Sequence, residues 1–93
     1  MSADTLPTDA PLRIAPGYRL QWEEAQGCNV LLFPEGMIKL NPSAGEILGL
    51  CDGSRSGASV VAALQKKFPQ ADLEHDVRDF LSIAHERGWI CPA

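Results

Sequence analysis

Between Met37 and Gly53 the chain reads MIKLNPSAGEILGLCDG, and the hydrophobic period changes inside that stretch. Met37 to Leu40 suit a strand. Ala44, Ile47, Leu48 and Cys51 then recur at i, i+3, i+4 and i+7, which places them on one helical face. The hinge is Asn41-Pro42. An asparagine side chain accepts from the free N–H groups of a first helical turn, and proline at the first helical position lacks only an N–H that no helical bond uses. The chain is therefore expected to pass from strand to helix at this dipeptide and to leave the helix at Asp52-Gly53. Whatever else forms, one strand feeds directly into one helix.

Upstream, Tyr18, Leu20 and Trp22 alternate with Arg19, Gln21 and Glu23, as on a strand with one wet face. The EAQG segment supplies a turn. Cys28 to Phe33 form a second strand, apolar on both faces from Val30 onward, which suits a position between two neighbours. Phe33-Pro34-Glu35-Gly36 has proline and glycine at the second and fourth places of a tight turn, so Met37 to Leu40 return as the third strand of an antiparallel meander. Residues 1–16 carry Pro7, Pro11 and Pro16 and read as a flexible tail with an extended lead-in, ahead of one domain over 17–93.

Downstream, a second helix is expected from Ser56, burying Val60, Val61 and Leu64, with Phe68 at its apolar end and Pro69 just beyond. Asp72 is expected to cap a third, with Leu73, Val77, Phe80, Leu81 and Ala84 on its buried stripe and Gly88 past its end. Gly88 to Ile90 lead back to the core. Three strands followed by three helices make an α+β domain with a winged-helix-like order.

At 93 residues the chain has room for one core and little for an enclosed reaction site. Cys28, Cys51 and Cys91 are odd in number and far apart, which suits a reducing compartment and not a disulfide framework. Cys28 with His75 or His85 is the one cysteine–histidine combination to weigh, and nothing in the pattern brings them together. The sequence holds no C-x-x-C and no H-x-x-x-H, so neither a catalytic centre nor a metal or organic cofactor is expected. The first residues have no basic start and no apolar segment of the secretory kind, and no apolar run approaches the roughly 18 residues of a membrane span. A cytoplasmic protein without membrane association is the expectation.

A winged-helix DNA-binding regulator is the alternative that the element order raises. The net charge of −4 opposes it, and Glu74, Asp76, Asp79 and Glu86 outnumber Arg78 and Arg87 on the helix that would have to enter a groove. Nucleic acid is not expected as a partner. The third strand offers more, because no later segment reads as a fourth strand to cover its outer edge. Lys39 on that edge is the usual protective charge. The functional reading is strand addition, in which a guest peptide takes main-chain bonds from Met37, Ile38, Lys39 and Leu40 and side-chain contacts from a neighbouring helix. On the third helix Ile83 flanks the buried stripe, about 60° from Phe80, among Asp76, Asp79 and Arg87, and is the residue placed to line such a groove. The same edge also suits pairing with a second copy, so a homodimer is the other arrangement it allows.

The blocks YRLQWEEAQG, LLFPEGMIKLNPSAGEIL, LCDG and DVRDFLSIAHERGWI, collinear between Pro11 and Cys91, resemble the pyrroloquinoline quinone biosynthesis protein D family. The resemblance implies a recognition element for ribosomally made, modified peptides, related to winged helices and not itself an enzyme. It implies two partners: the precursor peptide, whose glutamate and tyrosine are later cross-linked, and the radical S-adenosylmethionine enzyme to which that peptide is presented. Joined to the strand reading, it makes Met37 to Leu40 the docking edge.

Protein purified without an affinity tag is expected to carry no stoichiometric metal. Elemental analysis is the check, and one zinc or iron per chain would overturn the reading.

Overall fold

A computed structural model describes residues 10–93; the first part of the tail expected over 1–16 lies outside the described residues. The meander is present as β2 (Arg19–Glu23), β3 (Cys28–Phe33) and β4 (Gly36–Lys39), antiparallel in the order β2-β3-β4. In-facing Leu20, Leu31 and Ile38 lie directly across from one another. Leu31 is buried, and Leu20 and Ile38 pack at the margin of the same core.

Asn41 makes the corner foreseen for it. Its side-chain oxygen accepts from the Ala44 N–H at 2.7 Å, and its carbonyl accepts from the Gly45 N–H at 3.0 Å, which opens α1 (Pro42–Gly49) with Pro42 in the first turn. Ala44, Ile47 and Leu48 are buried as their spacing requires. Gly45 is also buried, and a side chain there would drive its first carbon to 2.7 Å from the Asn29 amide nitrogen. Its lack of one lets α1 lie close on β3.

The principal difference from expectation is a second sheet. Pro11–Ile14 form β1, Asp52–Ser56 form β5 and Ile90–Pro92 form β6, antiparallel in the order β5-β1-β6. The lead-in is thus a central strand, and Leu12 on it is 0% exposed. Asp52-Gly53, expected merely to end a helix, open β5, while α1 itself stops at Gly49 and leaves Cys51 buried beyond its end. The DGSRS of β5 has no apolar alternation to betray a strand. It is held by main-chain pairing to β1, whose register slips between Leu12 and Arg13.

The helices then pack across this frame. Ser56 caps α2 (Gly57–Lys67) by accepting from the Ser59 N–H at 3.2 Å. α3 spans Glu74–Glu86, but its N-cap is Leu73, with no side-chain bond, so the cap assigned to Asp72 is not made. The link before α3 is instead tied by Gln65, whose amide nitrogen donates to the carbonyls of Phe68 and Ala71 while its oxygen faces the Leu73 N–H. At the far end of α3 the Trp89 N–H donates to the Ala84 carbonyl at 2.8 Å and the Gly88 N–H to that of His85 at 3.0 Å. This closure needs Gly88 at φ 81°, in the left-handed region. It aims the chain into β6, where Ile90 is buried. Val77, Leu81 and Ala84 form the buried stripe of α3, whereas Phe80 is half-buried and Phe68 exposed. Among the described residues no helix is long and apolar enough to cross a membrane.

Leu12→Ala should cost about 2–5 kcal/mol in denaturant unfolding, since a buried methyl-rich side chain is lost from a site walled by two strands. A loss below about 1 kcal/mol would show that β1 does not hold the second sheet. A second expectation concerns Cys51. Burial, and next the charge of Asp52, push its thiol up from 9.0 to about 11. A folded pKa above the unfolded one means that this contribution is complete below about pH 9 and is lost as pH rises toward 11. The stability of wild type should therefore fall more steeply across that window than that of Cys51→Ala, and equal slopes would contradict the shift.

Candidate functional site

The pairing of β4 determines which of its backbone groups are free. The Leu40 N–H donates to the Asn29 carbonyl at 3.0 Å, one step beyond the ladder that pairs Lys39 with Val30, Ile38 with Leu31 and Met37 with Leu32. Residues of an antiparallel pair alternate between exchanging bonds and facing away. Leu40, Ile38 and Gly36 therefore turn their backbone groups toward β3. Met37 and Lys39 turn theirs to the other side, where among the described residues β4 has no neighbouring strand. The open edge thus consists of two residues with one donor and one acceptor each.

Side chains alternate with the same parity. Ile38 and Leu40 point inward, and Leu40 is only 6% exposed, so of the four edge residues proposed from sequence it belongs to the core. Met37, 46% exposed, and Lys39 stand on the outer face, in rows with Leu32 and with Val30.

Two cavities flank α1. The larger, about 510 Å³, lies over the inner row of Trp22, Asn29 and Leu40 and extends along Gly45 and Gly49. The smaller, about 330 Å³, connects Asn41, immediately after β4, to Asp76, Val77 and Phe80 of α3, with Ile47, Leu64, Phe68 and Leu73 completing a mostly apolar lining. Gln65 fixes Phe68 and Leu73 on its rim by bonding the link between them. Lys67 reaches across to Glu46 at 2.9 Å and also lies 5.6 Å from the Phe68 ring. This exposed pair contributes little to stability, yet it ties α2 to α1 at the rim.

Of the α3 residues proposed from sequence, Asp76 lines this smaller cavity. Ile83 is 45% exposed, a large apolar side chain on the surface as its position beside the stripe implied. Arg87 lies over the Trp89 ring at 5.7 Å, and Trp89 is tilted against Phe80 with ring centroids 6.4 Å apart. Asp79, four residues before Ile83, is exposed and lies 3.2 Å from His75. Phe80 and Trp89, read from sequence as core, are thus half-buried members of a ledge that ends in the cavity. Phe80 sits at one margin of the α3 stripe, on the Ile83 side, and is half-buried there while Val77, Leu81 and Ala84 are buried. Nothing local in the sequence unites Pro42, Phe68 and Leu73, which the fold alone brings to one cavity.

Nothing in this region assembles a nucleophile with a base. Cys51 is buried with a raised pKa, and Cys28 and Cys91 lie on different sheets. Among the described residues no three His, Cys, Asp or Glu side chains gather as a metal site. What the region offers, among the described residues, is an unpaired strand edge at Met37 and Lys39 and a mostly apolar cavity between α1 and α3.

Comparison with known proteins identifies the family of the chain. The family model for coenzyme PQQ synthesis protein D matches residues 28–90. The chain is 56% identical over 91 residues to the PqqA binding protein of Azotobacter vinelandii, covering 97% of each. It is 46% identical over 86 residues to that of Methylococcus capsulatus, covering 92% of each. The solution NMR structure of the PqqD truncation of Methylobacterium extorquens PqqCD, described as a functional and stand-alone recognition element for ribosomally synthesized and post-translationally modified peptides, superposes with a TM-score of 0.75. That match covers 98% of this chain and 99% of the other at 22% identity, and speaks for the fold.

Proposed function

The chain belongs to the coenzyme PQQ synthesis protein D family, and from that premise we propose that it is a non-catalytic peptide chaperone of pyrroloquinoline quinone biosynthesis. It binds the precursor peptide, the PqqA for which its relatives are named, as an added strand on β4. It then presents that peptide to the radical S-adenosylmethionine enzyme of the pathway. The observation that carries this reading is the open edge at Met37 and Lys39 beside an apolar cavity walled by α3.

Magnitudes divide the work between edge and cavity. Two residues supply at most four main-chain bonds, each worth a net ~0.5–1.5 kcal/mol. Association and ordering of a flexible peptide cost several kcal/mol or more. The edge therefore sets direction and register, and most of the affinity comes from apolar side chains of the peptide buried against Phe80, Ile83 and the cavity, at about 25 cal/mol per Å². Asp76 and Arg87 bracket that surface with opposite charges, one at each end.

Titration of the isotope-labelled protein with the precursor peptide tests the reading. Ile83→Asp should weaken binding by about 1–3 kcal/mol, because it puts a charge into an apolar contact, and should leave the melting temperature near that of wild type. Undiminished affinity in this folded variant would exclude the Ile83 side of α3 as the docking surface. Presentation is tested separately: the enzyme should cross-link the peptide efficiently only when the chaperone is present, and equal yields without it would remove that role.

A further inference from the structure

The alternation on β4 also dictates the chemistry of the peptide segment that lies on it. This step rests on the strand-addition reading above. Both sheets of the molecule are antiparallel throughout, and an antiparallel guest can exchange bonds pairwise with Met37 and with Lys39. Directly opposed residues put their side chains on the same face of a sheet. The two guest residues bonded to Met37 and Lys39 must therefore stand on the outer face, and the guest residues before, between and beyond them turn inward, to the side of Ile38 and the helices.

On that outer face the two host side chains differ. Met37 is a half-exposed thioether beside the partly buried Leu32, an apolar side chain at the open edge. Lys39 is an exposed cation, and among the described residues no carboxylate lies within salt-bridge distance of it. Opposite charges across a strand pair are favourable and like charges are not. We propose that the segment docked on β4 carries an acidic residue opposite Lys39 and, two positions later in its own sequence, an apolar residue opposite Met37, with an inward-pointing residue between them. The order follows from direction, since an antiparallel guest meets Lys39 before Met37. Lys39 is then a specificity residue that selects the register, in addition to being a charge that discourages edge-to-edge association.

Two measurements on the full chain separate this inference from the function beneath it. The first is amide exchange with and without the precursor peptide. In the free protein the Ile38 and Leu40 amides, bonded to β3, should exchange slowly, and those of Met37 and Lys39 fast. Saturating peptide should slow Met37 and Lys39 at least tenfold and leave the other two unchanged. Binding without protection at these two positions would overturn the docking edge itself, and absence of binding would overturn the function.

The second is a charge exchange. Lys39→Glu should weaken binding about tenfold at low salt and Lys39→Met a few-fold, with unchanged folding in each. One precursor variant, with a single acidic residue changed to lysine, should recover most of the loss against Lys39→Glu and none against wild type. If both Lys39 variants bind as tightly as wild type, or if every single acid-to-lysine peptide fails to recover the loss, the acidic partner is wrong even where the exchange pattern holds.

Discussion

The fold depends on the pairing of β1 with β5 on one side and β6 on the other. This central strand brings together three parts of the chain remote in sequence, with Leu12 sealed beneath them and the ends fastened by main-chain bonds from Ala15 to Trp89 and from Ala93 to Pro11. In so small a domain, burial alone leaves little margin over conformational entropy. A strand that satisfies backbone groups on both its edges while filling the core is correspondingly important. Its consequence for function is topological. Among the described residues, the segments outside the meander that adopt strand geometry pair among themselves, and none is left to cover β4.

From that frame the site follows by short steps. Asn41 converts the end of β4 into the start of α1, so the edge ends beside a helix terminus whose Ala44 N–H is already capped. The Gln65 bonds hold the α2–α3 link, which would otherwise be a loose passage through Pro69 and Gln70, and keep Phe68 and Leu73 at the cavity. The glycine closure at Gly88 turns Trp89 back against Phe80 and under Arg87. Each of these is a local bond or turn, and together they hold an apolar ledge and cavity beside an edge that has no neighbouring strand among the described residues.

What the sequence disclosed follows the range of the forces involved. The meander and all three helices are legible because their hydrophobic periods and caps are local: the strand-to-helix corner at Asn41-Pro42, the Ser56 cap and the Gly88 stop all lie where the residue chemistry puts them. The second sheet is not legible. Its strands are short, β5 is wholly polar or glycine, and they exist because residues some forty positions apart, such as Leu12 and Arg55, find each other's main chains. The Asp72 cap fails for a related reason, since Gln65 orders that turn from the preceding helix. For the site, the open edge and the exposure of Ile83 are readable, because one is a missing partner and the other a position off the stripe. The cavity is not, because its walls come from three helices whose mutual placement no local pattern encodes.

On the strand-addition proposal, the β4 edge also constrains its residues unevenly. Inward-pointing Ile38 and Leu40 must satisfy the core, so their identity is fixed by packing and is not free to vary with the peptide. Met37 and Lys39 donate and accept through the main chain, which is the same for any residue but proline, so the bonds themselves tolerate substitution. Selectivity therefore cannot reside in those bonds. It has to come from what lies to either side of the edge: the exposed outer positions Met37 and Lys39, where a side chain is free to differ without disturbing the fold, and the ledge and cavity on α3, where apolar volume is matched. Because four main-chain bonds are too weak to retain a flexible peptide by themselves, a chain with the wrong side chains gains the same hydrogen bonds and still dissociates. An edge left open in this way can therefore discriminate between extended peptides, and its open state does not by itself commit the protein to self-association.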